Sequence, residues 1–153
     1  MIAEFGKTSS PAPRFMVVDD DRINNLVSRF MILRHCKNAE LQLFTDPEIA
    51  LEVVYEMATS IDDESETVIL LDINMPGISG WEFLERFAVL EETARKKFRI
   101  YLFSSSIDSN DLERAANHLM LSGFFSKPLT ENHLNIALGI VNITSDEPLK
   151  ANA

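Results

Sequence analysis

From Arg14 onward, short apolar runs alternate with stretches of helical periodicity. Phe15-Met16-Val17-Val18 has no polar interruption, as expected of a strand covered on both faces, and it runs straight into Asp19-Asp20-Asp21. Ile23, Leu26, Val27, Phe30 and Met31 then recur at helical spacing and predict a first helix. Leu41 and Leu43 alternate as in a short strand. Asp46-Pro47 reads as a helix start, a capping carboxylate followed by proline in the first turn, and Ala50, Val53, Val54 and Met57 follow on one face. Residues 60–66 form an acidic loop, expected to be solvated. Val68-Ile69-Leu70-Leu71 is the most hydrophobic strand candidate and ends at Asp72. Ser79-Gly80-Trp81-Glu82 has the form of a capping box, with Phe83, Leu84 and Phe87 continuing that helix. Ile100-Tyr101-Leu102-Phe103 predicts a fourth strand ending in three serines, and Leu112, Ala115, Ala116 and Leu119 a fourth helix. Phe124-Phe125 predicts a fifth strand ending at Lys127-Pro128. Thr130 can cap a last helix carrying Leu134, Ala137, Leu138 and Val141.

Five strand–helix units in strict alternation imply an α/β fold, a parallel sheet with helices on both faces. Residues 1–13, with two prolines and no periodicity, read as a flexible lead-in. Residues 14–143 make the domain. Residues 144–153 are a short tail, too short for a second domain or an attached DNA-binding module. Of 153 residues 46% are hydrophobic, enough for a real core, which excludes a disordered acidic chain. The formal charge of −10 argues against direct binding of nucleic acid, whose phosphates are met by a basic face. No apolar run approaches the roughly 20 residues that span a bilayer, and the first residues lack the apolar segment of a signal peptide. Cys36 is the only cysteine, so there is no internal disulfide framework and no multi-cysteine zinc site. A soluble, cytoplasmic protein is the expectation.

The polar residues cluster at strand ends. Asp19-Asp20, Asp72, Ser104 and Lys127 each stand just after an apolar strand. In a parallel sheet those points share the carboxyl edge, where open α/β sheets bind ligands. A lone aspartate there is usually a helix cap and a lone lysine is usually solvated. Their joint placement on four strand ends points to a site. Three carboxylates held together repel, and one lysine cannot neutralise them. A divalent cation can, and an all-oxygen donor set suits a hard ion such as Mg²⁺. A cation, a hydroxyl and an ammonium around a carboxylate can stabilise a phosphoryl group in transfer, with the carboxylate as nucleophile.

The segments VVDDD (17–21), LLDINMPGISG (70–80), LFSSS (102–106) and GFFSKP (123–128), in that order and spacing, resemble the receiver domain of bacterial two-component response regulators. The resemblance covers residues 14 to about 143. It implies a flavodoxin-like, doubly wound (βα)5 sheet of strand order 2-1-3-4-5. Asp72 would accept the phosphoryl group. Asp20 and Asp72 would bind Mg²⁺ directly, together with the carbonyl of Asn74, and Asp19 mainly through water. Ser104 would bond the phosphoryl group and Lys127 pair with one of its oxygens. Pro128 would follow a cis peptide bond, and Phe124 would be the aromatic whose rotamer follows phosphorylation. The resemblance further implies a sensor histidine kinase as donor and a downstream effector as output partner, and dimerisation on phosphorylation is a further expectation. The protein would not be an enzyme in the usual sense, but a phospho-acceptor with self-catalysed transfer and autodephosphorylation.

Other readings stay open at this point. The chain could be a phosphorelay intermediate passing phosphate to a histidine phosphotransfer protein. It could be a receiver that has lost its chemistry and only binds. Asp19-x-Asp21 after a strand also resembles the first motif of haloacid-dehalogenase-like phosphatases, although Ile23 stands where that motif has threonine. Asp21 reads equally as the cap of the first helix. Trp81 is expected to pack partly against its helix, Cys36 to be buried or half-buried, and His35, His118 and His133 to be surface or half-buried.

Overall fold

The computed structural model describes residues 12–61, 63 and 65–140. The tail 144–153, Val141 and all but the last two residues of the lead-in 1–13 lie outside the described residues. The chain runs β1 (Arg14–Val18), α1 (Arg22–His35), β2 (Glu40–Phe44), α2 (Pro47–Thr59), β3 (Thr67–Leu71), α3 (Gly80–Phe87), α4 (Glu92–Arg95), β4 (Phe98–Ser104), α5 (Ser109–Asn117), β5 (Leu121–Ser126) and α6 (Glu131–Ala137). The five strands form one parallel sheet in the order β2-β1-β3-β4-β5. The expected flavodoxin-like α/β fold and strand order are therefore correct.

Both faces of the sheet are covered, which explains the uninterrupted apolar runs. Met16, Val18, Ile69 and Leu71 point into one core, and Phe15, Val17, Val68 and Leu70 into the other. Helix starts follow the capping residues visible in the sequence. Asp46 accepts from the Glu48 N–H, Ser79 from Glu82 and Thr130 from His133. Asp21 caps α1, accepting from Ile23 and Asn24.

Four readings need correction. Four of the five apolar residues that mark α1 in the sequence are turned outward, with Ile23 70% exposed, Leu26 59%, Val27 44% and Phe30 64%, and only Met31 packs against the core. The face of α1 toward the sheet is Asn25, Ser28 and Ile32, because its first turns lie over polar backbone at the ends of β1 and β2. Helix α5 is shorter than its periodicity predicts. The His118 N–H closes on the Ala115 carbonyl, only Ala115 of the four apolar positions is buried, and Leu119 stands beyond the helix. Two residues of the acidic loop are paired rather than merely solvated, Asp63 with Arg14 and Glu66 with Arg99, and the Arg14 guanidinium holds the Asp63 carboxyl down to about 2. His133 is buried, closes a capping box with Thr130 and stacks on Phe125. The four-residue α4 has too few positions to show a period and could not be read in advance.

Gly80 fixes how α3 approaches β3. Its N–H donates to the Ile73 carbonyl at 2.8 Å, and a Cβ built on it would lie 2.4 Å from the Asp72 carbonyl oxygen. A Gly80→Ala variant is therefore expected to lose about 2 kcal/mol of stability through backbone displacement. The helix-propensity gain of alanine, at most about 1 kcal/mol, does not offset this. Urea unfolding reads the sign directly: a neutral or stabilising result would mean that α3 shifts freely.

Candidate functional site

The sheet reverses its winding direction at β1. From β1 the chain moves to β2 on one side, and β3 lies on the other. Val18 pairs with Leu71 in register, so Asp19 and Asp72, the next residues of β1 and β3, stand side by side at this switch point. The ladders extend one bond further there. The Asp72 N–H donates to the Val18 carbonyl and the Asp19 N–H to that of Phe44, each at 3.0 Å. Position along the strand thus brings together two carboxylates that are 53 residues apart in the chain.

Asp19 is 1% exposed and Asp72 7%, whereas Asp20 is exposed at the rim. The three offer carboxylate oxygens that all lie within 4.8 Å of one another. Lys127, entering from the end of β5, places its Nζ 2.5 Å from Asp19 Oδ2 and 3.5 Å from Asp72 Oδ2. Its backbone N–H donates to the Ser104 carbonyl at 3.0 Å, which fixes the end of β5 against that of β4. The Lys127–Pro128 bond is cis, as the resemblance implies. Asp19 Oδ1 accepts from the Asp21 N–H and Asp72 Oδ1 from the Ile73 N–H, at 2.9 and 2.8 Å. Ser104 is buried at the end of β4, its Oγ 3.4 Å from the Ser106 carbonyl oxygen. Asn74 is exposed two residues past Asp72. Phe124 is half-buried on β5 and packs against the core that contains α2 and α3, three residues before Lys127. Asp21 faces outward with its carboxylate engaged as the α1 cap, which leaves the phosphatase-like reading of Asp19-x-Asp21 without its second carboxylate in the cleft.

Burial pushes the Asp72 carboxyl above the ordinary carboxylate range. The Asp19 carboxylate pushes the same way, while the Lys127 ammonium and the Ile73 N–H oppose both. A carboxyl raised by folding favours the folded state below its unfolded pKa. That contribution is lost as pH rises from about 3.8 through the folded pKa. Asp72→Asn is therefore expected to raise the Tm of the metal-free protein near neutral pH, by about 2 °C after allowance for solvent screening at the open cleft. The gain should shrink at acid pH. A Tm that falls, or a gain independent of pH, would show that the Asp72 charge is not under strain.

One ammonium facing three carboxylates leaves net negative charge among hard oxygen donors, and this set fits a divalent cation such as Mg²⁺. Asp19, Asp20 and Asp72 would hold it. Sequence reasoning missed Asn25, buried on α1 and bonded to the Asp19 carbonyl. No sequence signal marks it, because the apolar stripe of α1 points to the opposite face.

The family model of the response regulator receiver domain matches residues 15–139. A two component response regulator from Cytophaga hutchinsonii is 30% identical, with 86% of this chain and 97% of that one covered and a TM-score of 0.76. A response regulator receiver protein from Dyadobacter fermentans is 28% identical, with 84% and 97% covered and a TM-score of 0.74. No curated protein matches the sequence. Among the described residues no helix is long and apolar enough to cross a membrane.

Proposed function

The chain belongs to the response regulator receiver domain family of two-component signalling, and on that premise we propose that it is a phospho-acceptor switch with Asp72 as the acceptor. The observation that carries this reading is the cluster of Asp19, Asp20 and Asp72 bridged by Lys127 at the switch point of the sheet. A sensor histidine kinase is the donor. An Asp72 carboxylate oxygen attacks the phosphorus of phosphohistidine. The P–N bond breaks and its electron pair stays with the imidazole, which leaves neutral because its other nitrogen carries a proton. The product is an acyl phosphate on Asp72.

Mg²⁺, when bound, supplies charge neutralisation for the incoming phosphoryl oxygens. The chain's own groups do the remainder. Lys127 exchanges its contact with Asp72 for a phosphoryl oxygen. The Ser104 hydroxyl, whose bond to the Ser106 carbonyl is long at 3.4 Å, turns to donate to another. Phe124 then moves into the space beside Ser104, which biases the α5–β5–α6 face toward an effector. A protein donor that reaches Asp72 must cover the cleft rim, and the outward apolar stripe of α1 starts there at Ile23. The transfer is self-catalysed, so a small phosphodonor can replace the kinase, and the site operates in the cytoplasm.

The test is incubation of the full chain with acetyl phosphate, with Mg²⁺ and separately with EDTA, followed by intact-mass measurement. One phosphoryl increment that requires the cation supports the reading. No increment, or equal labelling in EDTA, refutes it.

A further inference from the structure

Asn25 occupies a place on α1 where packing alone would favour leucine. It is 3% exposed and faces the sheet beside Ser28 and Ile32. Its Oδ1 has no hydrogen-bond partner among the described residues, and a buried unpaired acceptor is costly. The use of the amide therefore lies in its donor end. Nδ2 donates at 3.0 Å to the Asp19 carbonyl and at 3.3 Å to that of Phe44. The Phe44 carbonyl also accepts the Asp19 N–H, so one side chain sews the residue just after β1 to the end of β2.

The same residue closes the turn from the other side. The Asn25 backbone N–H donates to the Asp21 carbonyl at 3.1 Å, and the Asp21 N–H donates to Asp19 Oδ1. Asp20 is the residue between these two anchored neighbours. It is also the member of the carboxylate cluster that stands exposed, so a fixed backbone is what limits where its carboxylate can go. We propose that Asn25 is a positioning residue for the acidic cluster: its side-chain amide holds the Asp19–Asp21 turn in place and thereby sets the affinity for the divalent cation. This rests on the reading of the cluster as a cation site. Groups that orient metal-ligating residues from behind typically change affinity about 10–100-fold when removed.

The experiment is calorimetric titration of the full chain with MgCl₂ for the wild type, Asn25→Leu and Ser28→Ala, with melting curves in EDTA. The wild type should bind. Asn25→Leu should bind about tenfold or more weakly while its metal-free Tm stays close to that of the wild type, because removing the buried unpaired Oδ1 and packing leucine in its place offset the loss of the two Nδ2 bonds. Ser28→Ala, altered on the same buried face, should bind as the wild type does. A wild type that does not bind Mg²⁺ refutes the cation site itself. A wild type that binds, with Asn25→Leu binding within about twofold of it or Ser28→Ala weakened equally, refutes the role of Asn25 alone. Should Asn25→Leu not fold, the side-chain amide protons of Asn25 in the wild type decide: their hydrogen exchange should slow on Mg²⁺ saturation, and exchange unchanged by Mg²⁺ overturns the proposal.

Discussion

Replacing Lys127 with methionine is expected to cost the metal-free protein about 3 kcal/mol near neutral pH, roughly 6–12 °C in Tm for a chain of this size. The lysine side chain is 9% exposed and stands between Asp19 and Asp72, both buried. Removing it leaves two buried carboxylates beside each other with no ammonium between them. That loss exceeds the contribution of an exposed ion pair, because desolvation prevents water from taking over the role of the lysine. Methionine keeps the length and most of the apolar contact of the side chain, so the effect reports the charge. Saturating Mg²⁺ should restore most of the lost stability, since a cation among the same oxygens supplies the missing positive charge. Melting curves in EDTA and in MgCl₂ measure both parts. A loss below about 1 kcal/mol with no response to Mg²⁺ would mean that the ammonium does not neutralise this cluster.

Asp72→Asn is expected to reduce labelling by acetyl phosphate to background, a fall of at least about 100-fold, because the neutral amide is a poor nucleophile where a carboxylate is required. The variant should remain folded and, without metal, melt slightly higher than the wild type. Loss of labelling together with retained or raised stability separates chemistry from collapse of the site. Intact-mass measurement over a time course decides it. A variant that labels at half the wild-type rate would move the acceptor elsewhere.

The parallel sheet and the convergence of Asp19, Asp20, Asp72 and Lys127 on one edge were legible because each depends on local signals, whereas the strand order came only with the family resemblance. Apolar runs mark strands buried on both faces, and the residue after each run must fall on the carboxyl edge. What could not be read is orientation. The spacing of Ile23, Leu26, Val27 and Phe30 identifies a helix correctly, yet periodicity does not say which face turns inward. In α1 the choice is made by the carbonyls of Asp19 and Phe44, which need a donor and obtain it from Asn25. The same holds for His133, whose burial follows from its capping bond with Thr130 and its stack on Phe125, neither of which leaves an apolar trace in sequence. The mutual distances of the carboxylates and the double engagement of Lys127 are likewise tertiary facts.

The central claim is that Asp72, in the nest formed by Asp19, Asp20 and Lys127, carries the phosphoryl group as an acyl phosphate. Borohydride reduction of the acetyl phosphate-treated protein, followed by peptide sequencing, tests it most directly, since reduction converts an aspartyl phosphate to homoserine. The account predicts homoserine at position 72, formed only when Mg²⁺ was present during labelling. Homoserine at position 19 or 20, or a phosphoryl group that survives borohydride on a serine such as Ser104, would contradict it.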